Sequence, residues 1–494
     1  MVLLCFALRD SGFCAMIIQN VIKPDRSMRK MQLKERRQNA WKTIVIIMSL
    51  AWPTIVEQVM ATAVQYIDTA MVGSLGTHAT AAVGSTGTIG WLVMGSLSAL
   101  GVGFLAMIAK AVGADEVQQA RRIVSQATLV VLVMGLIATV ICCSISRLVP
   151  VWMQVDPAIR ELAGTYFFIL YLPMLPRAAS AIFGTALRAA GDTKTPMKVG
   201  VIVNCINVVL NFLLIYPTRT LTVLGLSFTM PGAGWGVVGA AVASAISFVW
   251  GGAHITVVLW RHPMISPKGC SLRPDPAILR PCLKIAVPNM LQRFATSLGY
   301  VFFAAMINSI GEVATAAHTI ANTVESAFYI PGYGMQTAAA TLAGNAYGAR
   351  DEKRMKELAE MFIPIEIGLM ILSGGALFAL APGLMRIFSS SDEVIQLGST
   401  VLRMVAVSEP FYGFSIIIEG MMQGVGKTKE PFLFNIFGMW GIRIVGTFIC
   451  TQLLGFGLVS AWACMIAHNL FLFVMFVICY GKGVWNPLRN AGAA

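Results

Sequence analysis

The chain has little charge for its length. Charged residues make up 12% of the 494 positions, whereas hydrophobic residues make up 57% and the mean hydropathy is +0.74. A soluble protein carries about twice that charged fraction. The composition therefore argues against a soluble protein and indicates a chain that lies within a lipid bilayer.

Patterns that carry chemistry are also scarce. The ten cysteines form no CxxC pair and no Cys/His cluster, so neither zinc nor a structural disulfide is expected. Residues 424–428 resemble a phosphate-binding loop, but Met421 stands where such a loop needs a glycine. Without a nucleotide site or a metal cluster, we predict no enzymatic activity, no catalytic residue and no cofactor.

Long apolar runs, by contrast, dominate the chain. A helix needs roughly 20 apolar residues to cross a hydrocarbon layer of ~30 Å. Because these runs are continuous rather than alternating, they exclude a membrane β-barrel and predict an all-α polytopic membrane protein. The twelve predicted spans cover approximately residues 44–72, 80–108, 123–145, 159–185, 197–217, 235–260, 278–307, 314–346, 356–380, 395–422, 431–453 and 457–480.

The sequence nearly repeats itself at an offset of 235 positions. Pro53 matches Pro288, MVGSLGTHATAA matches MINSIGEVATAA, Gly113-Ala114 matches Gly348-Ala349, and GDTKTP matches GKTKEP. Each half holds six spans, an even number, so the halves form two lobes of the same orientation. Beyond the last match the offset shrinks, which places an additional external loop of the first half at residues 218–231.

The repeat and the charge distribution set the predicted domains. They are a mobile cytoplasmic extension (1–40), the first lobe (41–262), a cytoplasmic inter-lobe loop (263–276), the second lobe (277–481) and a cytoplasmic tail (482–494). Lys and Arg concentrate before the first span and after the even-numbered spans, whereas the loops after odd-numbered spans hold four arginines. This asymmetry predicts that both termini are cytoplasmic. The net charge of +13 is therefore a topology signal, and nucleic acid is not an expected partner.

Several strings resemble one transporter family across residues 44–480. IDTAMVGSLG, GTALRAAGDTKTP, TLAGNAYGA and GKTKEP are similar to segments of the multidrug and toxic compound extrusion (MATE) transporters. The resemblance implies a V-shaped, twelve-helix protein of the cell membrane with a central cavity. It also implies a monomer that exports organic cations or drugs in exchange for H⁺ or Na⁺ by alternating access.

Carboxylates inside the spans are the candidates for ion coupling. An ionisable group within a membrane is costly, so it tends to face the protein interior or a water-filled cavity. Asp68 is the strongest candidate, since the second repeat has Phe303 at the equivalent position. A buried carboxylate can carry a proton near neutral pH, and once ionised it can attract Na⁺ or a cationic drug. We assign no role to Glu366, Glu409 and Glu419.

Amides on the fifth span are the predicted partners of Asp68. Asn204, Asn207 and Asn211 follow a spacing that places them on one helix face, which should point away from lipid. In the DinF-like branch of the MATE family, the residue matching Asp68 binds the coupling cation, with partners that align to Asn207 and Ser244. That branch usually has a second carboxylate where this chain has Asn211. Hydrogen bonding between helices is the alternative role of the asparagines.

The second half offers a different polar stripe. Asn322, Glu325, Tyr329 and Tyr333 fall at helical spacing on the eighth span and suit an organic cation, through charge pairing and cation–π attraction. The alternative is that Glu325 forms a buried ion pair with Arg293 or Arg403.

The NorM-like branch of the family has acids at positions that align with Thr296 and Tyr412. Because both acids are missing here, the chain resembles the DinF-like branch more closely, and we expect no metal site other than a Na⁺ site at Asp68.

Two further possibilities stay open at this point. Glu57 lies eleven residues before Asp68, on nearly the same helix face, and is either a relay for the coupling ion or a hydrogen-bonded structural group. The alternative function is that of a flippase for lipid-linked oligosaccharide precursors. Such a protein should line its cavity with cations, for which the candidates are Arg177, Arg293, Arg403 and Arg443.

Overall fold

The computed structural model describes residues 26–223 and 226–489. The helices of the first half are α1 (Arg26–Gly73), α2 (Thr77–Gly113), α3 (Val117–Ile145), α4 (Val149–Trp152), α5 (Arg160–Tyr171), α6 (Met174–Ala189), α7 (Lys194–Leu214) and α8 (Gly236–Arg261). Those of the second half are α9 (Pro276–Asn308), α10 (Glu312–Gly348), α11 (Glu352–Phe388), α12 (Asp392–Gly424), α13 (Lys429–Leu453) and α14 (Leu458–Lys482). The predicted all-helical membrane architecture is confirmed apart from one hairpin.

Eleven of the twelve predicted spans are apolar enough to cross a membrane. Ten are single helices, and α5 with α6 forms an eleventh that bends by 48°. The break falls at Leu172 and Pro173, where proline removes a backbone donor. The remaining helix, α10, is 37 residues long but carries many polar residues. A helix of that length and polarity must turn its polar side toward protein or water rather than lipid.

The outer surfaces of the helices are strongly apolar. Leu372, Ile387 and Leu136 expose 74%, 72% and 61% of their surface, and many other large apolar side chains are similarly open. In water such a belt would be an aggregation site, whereas in a bilayer it faces lipid chains. Each half has a large core to which the other half contributes: Phe104 and Phe167 of the first half share a cluster with Ile278, and Phe362 of the second half shares one with Ile47.

The structure differs from the prediction in the segment between α7 and α8. Strands β1 (Pro217–Val223) and β2 (Leu226–Ala233) pair as an antiparallel hairpin where we predicted an external loop. The sequence TRTLTV favours a strand, because it is rich in β-branched residues. The predicted mobile extension also differs, since α1 already begins at Arg26; residues 1–25 lie outside the described part.

The two halves meet through repeat-related glycines at the ends of α2 and α10. A Cβ atom on Gly113 would overlap the carbonyl oxygen of Asn345, and one on Gly348 would overlap that of Lys110. Only glycine allows two helix backbones to approach this closely. We call these two approaches the glycine contact. It lies beside the basic loops that follow α2 and α10, so the halves are closed together on that side.

Candidate functional site

Asp68 lies among the three residues that were predicted to be its partners. It projects from α1, and Asn211 on α7 donates to its Oδ1 across 2.6 Å. Asn207 lies one turn before Asn211 and is 3.0 Å from the hydroxyl of Ser244 on α8. The structure therefore brings together all four residues of the predicted coupling site, which we call the Asp68 site. Their role in ion binding stays a prediction.

The amide of Asn207 has one orientation that satisfies both of its ends. In that orientation its nitrogen donates to Asp68 Oδ1 at 2.8 Å and approaches Oδ2 at 3.3 Å, while its oxygen accepts from Ser244. The carboxylate is then held by two amides of one helix. The side-chain oxygen of Asn211 is buried and has no hydrogen-bond partner. Carboxylate, amide and hydroxyl oxygens are the ligands that a hard cation such as Na⁺ prefers.

An apolar layer surrounds the Asp68 site. Met71 and Val72 of α1 pack with Ile215 and Val237, and Tyr166 of α5 packs against this cluster. The charge of Asp68 acts on the Tyr166 hydroxyl. Sequence reasoning missed Tyr166, because an aromatic residue in an apolar span gives no signal of its own.

The aromatic part of the second predicted stripe forms a cluster that includes a residue from another helix. Tyr329 and Tyr333 of α10 stack edge to face, with ring centroids 5.5 Å apart. Tyr412 of α12 joins them: its hydroxyl is 3.3 Å from that of Tyr333, and its ring lies 6.5 Å from Tyr329. We call these residues the tyrosine cluster. Tyr412 was noted from the sequence only as a position without the acid of the NorM-like branch, so its place in this cluster was not predicted.

The polar residues of that stripe do not share one environment. Glu325 is 6% exposed, whereas Asn322 is exposed at the surface. Because a residue that lines an open cavity is also exposed, the role of Asn322 in the same site stays a prediction. The charges of Glu325 and of Glu409 on α12 both act on Tyr329. These two acids are thus close to the tyrosine cluster.

The predicted arginine partners of Glu325 lie elsewhere. Arg293 donates to Asn289 on its own helix, and Arg403 donates to the carbonyl of Phe378. The arginine whose charge acts on Glu325 is Arg443 of α13, which is 3% exposed. The proposed ion pairs with Arg293 and Arg403 are therefore absent from the described residues. The relation between Glu325 and Arg443 depends on the tertiary arrangement and has no signal in the sequence.

The other acids of the spans have distinct surroundings. Glu57 forms an ion pair with Arg188 at the end of α6, with 3.0 Å between the atoms. This contact supports the structural interpretation of Glu57 over the relay. Glu419 accepts from Gln292 and Gln423. Glu366 is fully buried and neither of its oxygens has a partner, while Glu409 is 2% exposed with one oxygen unpartnered.

Comparison with known proteins identifies the class that this fold and these sites define. The sequence profile of the MatE family matches residues 53–213 and 288–449, one segment in each repeat. The chain belongs to the MatE family. It is a multi-pass membrane protein of the multidrug efflux transporter class.

Individual relatives are distant but cover most of the chain. A "Probable multidrug resistance protein NorM" of Thermotoga maritima is 25% identical over 388 residues, which are 78% of this chain and 81% of that protein. "Multidrug and toxin extrusion protein 2" of Oryctolagus cuniculus is 25% identical over 405 residues, 77% of this chain and 63% of that protein.

Solved structures of this class share the fold. A crystal structure of MATE in complex with MaL6 superposes with a TM-score of 0.83 at 22% identity, covering 90% of this chain and 97% of that one. An outward-facing conformation of a multidrug resistance MATE family transporter of the MOP superfamily gives 0.82 at 22% identity, covering 90% and 96%. The arrangement of twelve helices in two six-helix lobes is thereby confirmed.

Proposed function

We propose that the protein is a secondary active antiporter of the cell membrane that exports organic cations or drugs in exchange for H⁺ or Na⁺. The Asp68 site is the single observation that carries this proposal. Its carboxylate lies inside a span, is held by two amides and stands next to an unpartnered amide oxygen. The names of the relatives, which refer to multidrug resistance and to toxin extrusion, agree with it. The coupling ion is the one small molecule we expect besides the drug.

Coupling arises because the carboxylate of Asp68 cannot serve the coupling ion and the drug at the same time. An ionised Asp68 can hold Na⁺ with the surrounding oxygens or favour a cationic drug in the cavity, whereas a protonated Asp68 attracts neither. Entry of H⁺ or Na⁺ from outside therefore displaces the drug outward, and the bound species decides which conformation is populated. Because Asn211 replaces the second acid of the DinF-like branch, a single carboxylate performs this exchange here. We assign the chain to that branch on the absence of acids at Thr296 and Tyr412.

The tyrosine cluster is our candidate for binding the drug. Three tyrosines with two neighbouring acids, Glu325 and Glu409, offer aromatic faces and negative charge to a flat, delocalised cation. Cation–π attraction is worth about 0.5–2 kcal/mol per ring, more when water is excluded. Since the rings come from α10 and α12, several drugs of different shape can use the same surface.

Alternating access follows from the glycine contact. The contact closes the halves on the side of the basic loops, which we assign to the cytoplasm together with both termini. Rocking of the lobes must separate Gly113 from Asn345 and Gly348 from Lys110 before a drug can enter from the cytoplasm.

The structure gives less support to a flippase of anionic lipids. Such a protein would present cations to the cavity, but Arg177 stacks over Tyr171 and Phe248, and Arg443 over Tyr300 and Phe303. Both guanidinium groups are thus covered by rings of their own half, whereas Arg293 and Arg403 bond within the second half. Export of a cation is the better proposal.

The test measures efflux of a fluorescent lipophilic cation from cells that express the protein. We expect export that stops either with a protonophore or when Na⁺ is replaced by K⁺, and the condition that stops it identifies the coupling ion. Export that survives both treatments, or an absence of export for a panel of such cations, would contradict the proposal.

A further inference from the structure

The second repeat has a buried cation where the first repeat has the Asp68 site. At the repeat offset, Asp68 corresponds to Phe303, and Val208, next to Asn207, corresponds to Arg443. The guanidinium of Arg443 lies 4.2 Å from the centre of the Phe303 ring. A buried positive charge on α13 therefore lies against Phe303, the residue that takes the place of the Asp68 carboxylate in the second half.

Several buried donors around Arg443 have no partner. Arg443 is 3% exposed, and both its Nε and one terminal nitrogen are unpaired. His468 is 6% exposed with both ring nitrogens unpaired, and Trp462 is fully buried with its indole nitrogen unpaired. His318 has an unpaired buried Nδ1. A buried polar group without a partner is destabilising, and more so if it is charged, so this concentration of donors indicates a bound ligand.

These side chains surround one place in the second half. The ring of His318 lies 5.6 Å from Phe303 and 5.9 Å from Trp462, both edge to face. His468 packs against Gly438, where a Cβ atom would overlap its ring. We call Arg443, His468, His318 and Trp462 the donor cluster.

The backbone at Arg443 is also unusual. Residues Phe437–Ile444 form a π-helix, the widened turn that often marks functional sites in helices. In a π-helix each hydrogen bond joins residues that are five positions apart, so Gly438 and Arg443 are separated by one turn and lie on the same side of the helix. The widened turn therefore directs Arg443 toward the same region that receives His468.

We propose that the donor cluster binds a small anion inside the second half, either an inorganic halide or the carboxylate group of a zwitterionic substrate. Arginine and tryptophan offer donors and no acceptor, and the histidines can each donate, which suits an anion and not a metal cation. Phe303 and Tyr300 wall the guanidinium with apolar rings, so the site favours a compact, weakly hydrated anion. This inference goes beyond cation export, because it adds a second ion of opposite sign.

Thermal unfolding of the purified full chain in detergent tests the site. Sodium bromide is compared with sodium gluconate at equal ionic strength for the wild type, Arg443→Met and His468→Phe. After the hairpin of the first half the repeat offset is 220, so His468 corresponds to Phe248, and the second variant is expected to fold. The control is Arg403→Met, which removes an arginine of the same half that bonds a backbone carbonyl. We expect bromide to raise the midpoint of the wild type and the control by at least about 2 °C and to leave both site variants unchanged.

Two further experiments distinguish an inorganic halide from a substrate carboxylate as the bound anion. Crystals grown in bromide should show an anomalous peak beside Arg443 and His468 if the ligand is an inorganic halide. If it is a substrate carboxylate, a zwitterionic xanthene dye should stabilise the wild type and its methyl ester should not, again only while Arg443 is present. Bromide and zwitterion effects that are both absent, or that persist in Arg443→Met and His468→Phe, would overturn the proposal.

Discussion

The amide of Asn211 reaches across 2.6 Å to the carboxylate of Asp68 and thereby joins α7 to α1. Two residues earlier on α1, the hydroxyl of Tyr66 is 3.5 Å from the backbone carbonyl of Thr323 on α10, in the other half. The helix that carries the coupling carboxylate thus contacts its own half through Asp68 and the opposite half through Tyr66. Whatever occupies the Asp68 site acts on a helix that both lobes hold.

The first prediction concerns the charge of Asp68. In Asp68→Asn the side chain keeps its size and its position beside Asn207 and Asn211 but can no longer exchange H⁺ or Na⁺. We expect folded protein at normal levels in the membrane and export of a lipophilic cation at background. The measurement is dye efflux, together with drug-induced proton or Na⁺ release from the purified protein.

The matched control for this variant is Glu57→Gln. It removes an acid of the same helix that is already paired with Arg188, and a partly exposed pair of this kind contributes at most about 1 kcal/mol. We expect export close to that of the wild type. Full export by Asp68→Asn, or equal losses in both variants, would show that the Asp68 site does not couple transport.

A second prediction separates charge from aromatic contact in drug binding. Glu325→Gln should weaken the affinity for a cationic drug roughly tenfold or more, because a charge-assisted contact worth about 1.5–3 kcal/mol is lost. Tyr412→Phe keeps the ring and removes the hydroxyl that approaches Tyr333, so the affinity should change little. Tyr412→Leu removes the ring, which should cost about 0.5–2 kcal/mol.

Equilibrium binding of a fluorescent cation to purified protein measures all three variants. Glu57→Gln serves as the control, because that acid is paired with Arg188 in the first half rather than placed at the tyrosine cluster. Unchanged affinity in both Glu325→Gln and Tyr412→Leu would place the drug elsewhere in the cavity.

The proximity of Asp68, Asn207, Asn211 and Ser244 was predictable from the sequence for a physical reason. Polar side chains repeated along one face of an apolar helix must avoid lipid, and the one nearby carboxylate is their natural partner. The six-helix repeat was equally visible, because matching strings recur at one offset. In both cases the signal lies within a short stretch of chain or in its repetition.

The features that were missed depend on contacts between distant segments. An ion pair of Glu325 with Arg293 or Arg403 was the predicted alternative to drug binding, whereas the arginine that acts on Glu325 is Arg443. Three arginines of one half cannot be ranked without their tertiary arrangement. Tyr166 and Tyr412 gave no signal because aromatic residues are common in apolar spans. Residues 218–231 were predicted as an external loop because loops outside the membrane tolerate insertions, and the pairing of two short strands was not considered.

A third prediction concerns the joint between the halves, outside the spans. His262 follows α8, and its Nδ1 accepts from the backbone nitrogens of Met264 and Ile265 at 3.2 and 3.3 Å. Partial burial lowers the pKa of His262 below its ordinary value of 6.5, while the charge of Asp192 opposes this shift. The folded protein therefore binds a proton at His262 less readily than the unfolded chain does.

Protonation of His262 makes the stability of the folded protein depend on pH. At pH values above 6.5 the imidazole is neutral in both states, and its contribution to stability is fully present. As the pH falls below that value the unfolded chain takes up the proton first, so stability decreases until the folded pKa is passed. His262→Asn can accept from the same backbone donors without titrating. We expect its thermal midpoint to fall less than that of the wild type between about pH 8 and pH 5, the range in which histidine titrates; parallel curves would contradict the assignment.

The last prediction concerns the glycine contact. Substituting Gly348→Leu places a side chain where the backbone carbonyl of Lys110 lies, and Gly113→Ala does the same at Asn345. Neither backbone can yield without separating the helices, so the closed arrangement of this side is destabilised relative to one in which the lobes are apart. The population in which the lobes are apart on this side should therefore increase, and it should increase more for leucine than for alanine.

Distance measurements between spin labels on the loops that follow α2 and α10 report this shift, with Gly368→Ala as the control because nothing lies within 4 Å of its Cβ position. We expect longer distances and slower export in both contact variants and no change in the control. The two effects must occur together, since a transporter that cannot close one side cannot complete the cycle. Distances that stay at the wild-type value in Gly348→Leu would mean that the contact is not a gate, and that rocking of the lobes uses another surface.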